Sequence, residues 1–353
     1  MTTYQQAGVD IQKGDQASKI AYELAQKTFS SRKNLTGQPV INTGGYAGLL
    51  NLGNFYLVQC DDGVGTKIAI AQKIQKYDTL GYDLLAMVCD DAICIGAETI
   101  SITNTLDTNK VNPAQIQTLM QGLAQACINQ KIIISGGEIA ELGNLVNGNV
   151  WNATAVGIIT QEKLITGENI QNNDDVIALS ESGFRSNGFS LVRYVLEKKY
   201  GPDVYQKKYQ NTPWGEILLT PSTIYSNAIL EIIGRFSEKK QHKIKGISHI
   251  TGGGIPGNIN RILKKTGLGV NLDNLFQPPE FLKHIQEIGK ISNQEAYKTW
   301  NMGNGMLLVT SPVDTKNIIN SLHKSGIKAQ IAGKIIADKK IIIQNKENLI
   351  FTY

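Results

Sequence analysis

The stretch that most constrains this chain of 353 residues is FYLVQCDDGVGTK, from Phe55 to Lys67. A short apolar run stops at Asp61 and Asp62, two glycines follow, and an apolar-periodic segment begins after Lys67. This order predicts a strand, a tight acidic turn and the start of a helix. Such a turn offers carboxylates to a divalent metal, backbone N–H groups to phosphate oxygens and a cation to phosphate charge. Taken alone, it is equally compatible with a turn that has only a structural role.

Length and composition favour two domains, because 353 residues exceed the usual size of one. The formal net charge of +5 is mild for this length, so we expect no nucleic-acid partner. The N-terminus has no signal-peptide pattern and no apolar run reaches membrane-spanning length, so we expect no membrane association and a cytoplasmic location. The four cysteines form no CxxC pair, which favours buried reduced thiols over a zinc site or disulfides.

Strand and helix patterns alternate in both halves and predict an α+β architecture. In the first half we predict helices at 17–29, 81–97 and 113–130, strands at 99–106 and 151–160, and a buried strand at 131–135. The polar segment 161–174 is the expected linker, and it separates domain 1–167 from domain 168–353. In the second half we predict strands at 175–182, 244–250, 269–272 and 305–310, and helices at 191–200, 221–236, 279–289 and 315–326.

Carboxylates recur at the ends of the predicted elements. Asp90 and Asp91 lie in an otherwise apolar helix, where unpaired acids are costly. Glu138 follows two glycines, Gly136 and Gly137, at the end of a predicted strand. Because such acids stay close together only when cations neutralise them, the pattern predicts metal or nucleotide binding. Asp83, at the start of the same helix, fits an N-cap or an exposed corner instead.

A second glycine loop, HITGGG, lies between a predicted strand and a predicted helix at His249 to Gly254. Backbone N–H groups at a helix N-terminus bind phosphate, although a flexible turn is the alternative. Acids and anion-binding loops together favour a nucleoside triphosphate with Mg²⁺ and phosphoryl transfer. The usual nucleotide motifs GxxxxGK[ST] and GxGxxG, and a kinase-type catalytic loop, do not occur.

The chain resembles the phosphoribosylformylglycinamidine cyclo-ligase family, also called aminoimidazole ribonucleotide synthetase, over nearly its whole length. Eight motifs fall in the family's order: AGVDI (7–11), DGVGTK (62–67), DTLGYDLLAM (78–87), DDAICIGAE (90–98), GGEIAE (136–141), SNGFSLVR (186–193), HITGGG (249–254) and NMGNGM (301–306). The resemblance implies a two-domain α+β fold with an N-terminal mixed or antiparallel sheet and helices, which dimerises as a barrel, and a C-terminal α/β domain.

The resemblance also implies a reaction, the ATP- and Mg²⁺-dependent closure of formylglycinamidine ribonucleotide to aminoimidazole ribonucleotide in purine synthesis, with release of ADP and phosphate. It assigns Mg²⁺ to Asp62, Asp91 and Glu138. It assigns catalysis to Asp91, to Lys67 on the triphosphate and to His249 as the proton-handling group. The further ATP- and substrate-binding residues that it implies are Gly63, Gly65, Thr66, Gly136, Gly137, Arg185, Ser186, Asn187, Gly188, Thr251, Gly252, Gly253 and Gly254.

The chain departs from the family pattern at five places. The usual Asn-Asp pair is Asp90-Asp91, and the family's aromatic-rich strand near Asn104 to Lys110 is not kept. Arg185 stands where the family usually has a histidine before SNG, Tyr22 aligns with a lysine, and Thr223 replaces an arginine. We therefore expect Arg185 to bind the substrate phosphate. Two alternatives stay open: another ATP-using enzyme of the same fold, of the thiamine-monophosphate kinase or selenophosphate synthetase type, or a nucleotide-binding regulator that has lost catalysis.

Overall fold

The computed structural model describes residues 2–40, 46–345 and 348–352. Its α-helices are α1 (Ile11–Gln26), α2 (Lys67–Ile74), α3 (Leu80–Cys94), α4 (Pro113–Gln130), α5 (Phe189–Tyr200), α6 (Trp214–Leu218), α7 (Ser226–Ile233), α8 (Gly254–Leu263), α9 (Glu280–Ile288), α10 (Asn293–Thr299) and α11 (Pro312–Lys324). Its strands are β1 (Gln38–Pro39), β2 (Gly48–Asn51), β3 (Tyr56–Gly63), β4 (Glu98–Thr108), β5 (Ile133–Glu141), β6 (Asn149–Ile159), β7 (Asp175–Ser180), β8 (Lys208–Tyr209), β9 (Thr212–Pro213), β10 (Ile244–His249), β11 (Gly269–Leu272), β12 (Asn304–Thr310), β13 (Ala329–Ile336), β14 (Ile341–Gln344) and β15 (Asn348–Phe351).

The N-terminal sheet is mixed, as predicted, and has the strand order β1-β2-β3-β6-β4-β5. Neighbouring strands are antiparallel except β4 and β5, which run parallel and are connected through α4. Buried residues alternate with more exposed ones along β6, as expected for a sheet with one covered face. Helix α3 packs on β3 and β6 and covers that face. The opposite face, here called the open face, is exposed to solvent.

The C-terminal sheet has the order β10-β12-β7-β13-β11-β14-β15. Its neighbouring strands are antiparallel except β11 and β14. Every residue of β12 is buried, which places the core of this half at the centre of the sheet. Helices α8 and α11 pack on its strands. Both halves therefore combine helices with mixed sheets, which confirms the predicted α+β class.

Helix α3 lies between the two halves, and this position organises the site described below. It contacts β3 and β6 of the first sheet, and also β10 and α7 of the second half. Thirteen of its residues are buried, and they include Asp83 and Asp90. The sequence predicted a helix here, and the structure adds that its acids are enclosed between two layers. No α-helix in the described parts of the chain combines the length and apolar character needed to cross a bilayer.

Helix α4 was predicted with its bounds at Pro113 and Gln130, and the structure confirms both. The Asn112 side chain caps its N-terminus by accepting from the N–H groups of Ala114 and Gln115, and proline occupies the first turn. The predicted helix at 221–236 is wrong, because only Ser226–Ile233 is helical. Carboxylates capture the N–H groups of the segment before it. These bonds are Ser222 to Asp83 at 3.0 Å, Thr223 to Glu181 at 3.2 Å and Tyr225 to Asp90 at 3.0 Å.

Two strands also differ from the prediction. The buried strand predicted at 131–135 is wrong: β5 runs from Ile133 to Glu141 at the edge of the sheet, and Ile133 is 64% exposed. Strand β3 does not stop at the aspartates but continues through Asp61 and Asp62 to Gly63. Because side chains alternate along a strand, these two acids point to opposite faces.

The predicted linker at 161–174 connects the two sheets and is anchored to the second half. The Lys163 ammonium is buried and donates to the carbonyl oxygens of Gly234, at 3.4 Å, and Glu238, at 2.5 Å. Nearby, the Arg235 guanidinium pairs with Glu98 at 2.6 Å. These contacts hold the end of the first sheet against the second half. The division at 167/168 stays a prediction.

Candidate active site

Three of the sequence motifs meet at the turn Ser186–Gly188, which follows β7 and starts α5. A Cβ added at Gly65 would lie 3.2 Å from the Ser186 carbonyl oxygen. A Cβ added at Gly252 would lie 3.7 Å from the Asn187 side-chain oxygen. The turn therefore touches the loop after β3 on one side and the glycine loop before α8 on the other. It also reaches α3, because the Asn187 amide lies 3.8 Å from the sulfur of Met87.

The glycine loop Thr251–Gly254 is held in shape by Asn258, which is fully buried in α8. The Asn258 amide nitrogen lies 3.3, 3.1 and 2.8 Å from the carbonyl oxygens of Thr251, Gly252 and Gly254. Sequence reasoning missed this residue. Its signal was a polar side chain one helical turn after the last glycine, on the face that looks back at the loop.

Two glycines of this loop differ in whether the structure requires a glycine at their position. Gly254 has φ +60°, and a Cβ there would lie 1.9 Å from the Tyr297 carbonyl oxygen, so the backbone conformation itself requires glycine. Gly252 is exposed, and a Cβ there would meet only Asn187. The exposed part of the loop, at the N-terminus of the ten-residue helix α8, is therefore the part that a ligand can approach.

Asp62 on β3 and Asp91 on α3 are the two carboxylates that the structure brings together at this place. Burial raises the pKa of Asp62 to about 6; the Gly63 N–H, 2.7 Å away, opposes this, and the charge of Asp91 adds to it. Burial also raises the pKa of Asp91 to about 7, against the charges of Arg261 and Arg185. Raised pKa values of two nearby carboxyl groups mark this place as a candidate functional site.

Asp90, the neighbour of Asp91, has both carboxylate oxygens occupied by partners from the second half, although burial raises its pKa as well. Its Oδ2 atom accepts from Arg185 Nη2 at 2.7 Å, and its Oδ1 atom accepts from the N–H groups of Tyr225 and Ser226, both at 3.0 Å. Both side chains of the ion pair are fully buried. Asp90, for which the sequence predicted metal or nucleotide binding, thus has its acceptors filled by the second half of the chain.

Arg185 has no exposed surface and several partners besides Asp90. Its guanidinium donates to Glu181 Oε2 at 3.0 Å and to the Thr223 carbonyl oxygen at 2.7 Å, and it lies over the Tyr225 ring at 5.2 Å. The expectation that Arg185 binds a substrate phosphate does not match this geometry, because the phosphate would have to displace a buried carboxylate. Glu181 lies four residues before Arg185 in a non-helical segment, so the sequence spacing alone did not indicate this ion pair.

His249 links this network to Asp91. Its Nε2 atom lies 2.9 Å from Arg185 Nη2, and its Nδ1 atom lies 2.7 Å from Asp91 Oδ1. Burial and then the charge of Arg185 lower the pKa of His249 to about 3. The side chain is fully buried and both ring nitrogens are occupied. The expectation that His249 handles protons on the substrate therefore needs correction, because neither nitrogen can reach a ligand.

Lys67 is also enclosed. Its ammonium donates to Asp83 Oδ1 at 2.8 Å and to the Thr220 carbonyl oxygen at 2.6 Å, and the ion pair is fully buried. The sequence suggested that Asp83 is an N-cap or lies at an exposed corner, and the buried ion pair contradicts both. In this arrangement Lys67 joins α2 to α3 and to the second half, and the predicted contact with a triphosphate is not formed by the chain as it stands.

Glu138 and its glycines, Gly136 and Gly137, lie apart from the other predicted residues. Strands β6 and β4 separate β5 from β3. Asp62 shares a row with Gly137, whereas Glu138 belongs to the next row, so its side chain points to the open face. Within residues 2–40, 46–345 and 348–352, no three His, Cys, Asp or Glu side chains are arranged to hold a metal ion. Of the three predicted Mg²⁺ ligands, the structure therefore brings Asp62 and Asp91 together and leaves Glu138 apart.

Both halves of the chain match a known family. Residues 44–159 match the family described as AIR synthase related protein, N-terminal domain, and residues 171–346 match its C-terminal domain. Phosphoribosylformylglycinamidine cyclo-ligase of Pyrococcus furiosus is 38% identical over 347 residues, which cover 98% of each chain. The protein of the same name from Clostridium perfringens is 35% identical over 345 residues, which cover 96% of this chain and 98% of its own.

Solved structures share the fold. T. maritima PurL complexed with ATP has a TM-score of 0.60 at 15% identity; the match covers 92% of this chain and 48% of PurL, so this chain spans about half of that length. AaThiL complexed with AMPPCP and TMP has a TM-score of 0.60 at 14% identity, with 92% of both chains covered. From the two matched domains and the full-length relatives at 35% and 38% identity, this chain belongs to the phosphoribosylformylglycinamidine cyclo-ligase family.

Proposed function

We propose that this protein catalyses the ATP-dependent cyclisation of formylglycinamidine ribonucleotide to aminoimidazole ribonucleotide, with release of ADP and phosphate. Similarity along almost the entire chain to enzymes named for this activity supports the proposal. The observation that carries it is the Asp62–Asp91 pair beside the turn Ser186–Gly188, where both glycine loops converge. Carboxylates and anion-binding backbone in one place are what a reaction with a nucleoside triphosphate requires.

Mg²⁺ fits the carboxylate pair, because a hard cation would neutralise two oxygen ligands whose pKa values burial has raised. Asp62 and Asp91 would hold it, and when bound it supplies charge neutralisation on the phosphate oxygens. Glu138 stays a prediction as a third ligand. The exposed part of the loop Thr251–Gly254 and the loop Gly63–Thr66 would face the phosphates with backbone N–H groups.

In the proposed reaction, the formamide oxygen of the substrate attacks the γ-phosphorus of ATP and ADP departs. The amidine nitrogen then attacks the activated carbon and loses a proton, and the oxygen leaves as phosphate. Such steps need alignment and charge neutralisation more than a covalent nucleophile. The turn Ser186–Gly188 would provide alignment, since its Asn187 side chain contacts Met87 of α3 at 3.8 Å. Ser186 is buried, and its hydroxyl has no hydrogen-bond partner among the described residues.

We also propose a homodimer that forms through the open face of the N-terminal sheet. Three apolar side chains at this face and its edge, Ile100, Ile133 and Val150, are 41%, 64% and 43% exposed. A second copy that covers them would bury apolar surface that water now contacts. A cytoplasmic location is proposed too, since all four cysteines are buried free thiols, as is usual in reducing compartments.

The test is an assay with ATP, Mg²⁺ and formylglycinamidine ribonucleotide that follows ADP together with the diazotisable aminoimidazole product. Asp91→Asn should lower kcat by about 100- to 1,000-fold. Asp78→Asn is the matched control, because Asp78 is an exposed acid that pairs with Lys76 just before α3, and it should keep full activity. ATP binding without ADP release would overturn the proposal in favour of a regulator. ADP release only with thiamine phosphate or selenide would assign the chain to another activity of this fold.

A further inference from the structure

We propose that Arg185 is a positioning residue that fixes the hydrogen atom of the His249 ring on Nδ1, so that His249 donates to Asp91 and takes no proton from the substrate. The inference rests on the proposed function in assigning Asp91 to the site. The tautomer itself is inferred only from the distances between His249 and its two neighbours.

The argument starts from donors and acceptors. A guanidinium carries only donors, so the nitrogen that faces it, His249 Nε2 at 2.9 Å, must present a lone pair. A neutral imidazole then carries its hydrogen on the other nitrogen, Nδ1. Nδ1 lies 2.7 Å from Asp91 Oδ1, which is the distance of a strong hydrogen bond to a carboxylate. The chain of donors therefore runs in one direction, from Arg185 through His249 to Asp91.

The guanidinium is itself immobilised. Asp90, Glu181 and the Thr223 carbonyl oxygen accept from its two terminal nitrogens, and the ion pairs are fully buried. Arg185 also has φ +60°. Residues other than glycine rarely adopt this backbone conformation, and it persists only where the surroundings impose it. The same turn continues into Ser186–Gly188. Strain in the backbone is thus stored beside the site, and the buried network holds it.

The consequence concerns Asp91. The Asp91 side chain is 18% exposed, and the His249 N–H fixes one of its oxygens and therefore its orientation. A hydrogen bond of this kind to a carboxylate that binds a metal ion changes the affinity for the metal, although the donor itself does not contact the metal. Arg185 thereby acts on the site through His249 without entering it.

The decisive measurement is the long-range ¹H–¹⁵N correlation spectrum of ¹⁵N-histidine-labelled protein, without nucleotide or metal. The four histidines are assigned with His242→Gln, His284→Gln and His323→Gln. We expect a protonated Nδ1 and an unprotonated Nε2 for His249 at neutral pH. A protonated Nε2, or protons on both nitrogens, would overturn the proposal. This readout needs no turnover, so it stands or fails separately from the proposed reaction.

Kinetics give a second readout. Arg185→Lys keeps the charge but loses the planar fork, so we expect a mixed tautomer signal, a kcat lower by about 10- to 100-fold and a KM for the nucleotide substrate within about twofold of wild type. Arg32→Lys, at an exposed arginine, is the matched control and should match wild type. A raised KM with normal kcat would instead make Arg185 a substrate-binding residue. If Arg185→Lys does not fold, the wild-type spectrum still decides the tautomer.

Discussion

Asp90 and Asp91 are consecutive residues of α3, yet their partners differ. Asp90 is fully buried and receives a guanidinium and two backbone N–H groups from the second half of the chain. Asp91 keeps some exposure and is hydrogen-bonded to His249. Burial raises the pKa of both acids, that of Asp91 to about 7. Successive helical residues point about 100° apart, so one helix between two layers presents one acid to a packed interface and the next to a cleft.

The same division separates the other acids. Asp83 lies seven residues before Asp90, on the same side of α3, and it too is buried and paired, with Lys67. Burial raises the pKa of Asp62 to about 6, and it raises that of Asp83 as well. The fully buried acids hold the two halves together, and the partly exposed acids are those available to a cation. Counting acids in the sequence does not distinguish these groups, whereas their burial does.

The largest effect that tests this division is on stability. Lys67→Met leaves the buried Asp83 carboxylate without its cation, so the free energy of unfolding should fall by about 3–5 kcal/mol in urea denaturation. Lys73→Met, on the exposed side of the same helix, is the matched control and should change it by less than about 0.5 kcal/mol.

The double variant Lys67→Met/Asp83→Leu should recover much of the loss, because replacing both members of a buried ion pair by apolar side chains is often neutral. A Lys67→Met protein that is as stable as wild type but inactive would contradict this account. It would return Lys67 to the catalytic role predicted from the sequence.

Hydrophobic periodicity was enough to predict much of the fold but not the partners of buried charges. Helix α4 follows from its pattern and its Asn112-Pro113 start, because these signals are local. The pairing of Arg185 with Asp90 joins residues 95 positions apart, and no local signal encodes it. The helix predicted over 221–236 was wrong for the same reason, since distant carboxylates capture the N–H groups of residues before Ser226. In the site, the sequence predicted one group of acids, whereas the structure separates Glu138 from Asp62 and Asp91 and shows which side chains remain accessible.

The second effect is a pH dependence. Both Asp62 and Asp91 have pKa values that are higher in the folded protein than the ordinary value near 3.8. Folded protein therefore holds these protons more tightly, so their contribution to stability is largest below pH 4, falls as pH rises through 4 to 7, and is constant above. For Asp91 the fall should amount to about 4 kcal/mol, since its pKa rises from 3.8 to about 7 and one pKa unit corresponds to about 1.4 kcal/mol.

The measurement is the difference in unfolding free energy between wild type and Asp91→Asn from pH 4 to pH 8, with a chelator present. Other carboxylates contribute equally to both proteins, so the difference isolates Asp91 and its effect on Asp62. We expect Asp91→Asn to become the more stable protein as pH rises. Parallel profiles for the two proteins would show that ionisation of Asp91 does not lower the free energy of unfolding. The contrast between Asp91 and Asp90 would then be wrong.

The smallest expected effect concerns Asp61, which differs from Asp62 only by its position along β3. Asp61 is exposed and accepts from the Thr154 hydroxyl at 3.0 Å on the neighbouring strand, on the face opposite to Asp62. An asparagine keeps an acceptor for that hydroxyl. Asp61→Asn should therefore shift the unfolding free energy by less than about 0.5 kcal/mol and leave kcat within about twofold of wild type.

Asp62→Asn is the matched comparison, because the same chemical change one residue later removes a carboxylate from the pair with Asp91. If Asp61→Asn lowers kcat as strongly as Asp62→Asn does, then the face of the sheet does not decide which acid belongs to the site. If Asp61→Asn is normally active and Asp62→Asn loses most activity, then the face of β3 to which an aspartate points decides whether it binds the metal. The presence of two aspartates in the motif would not be enough.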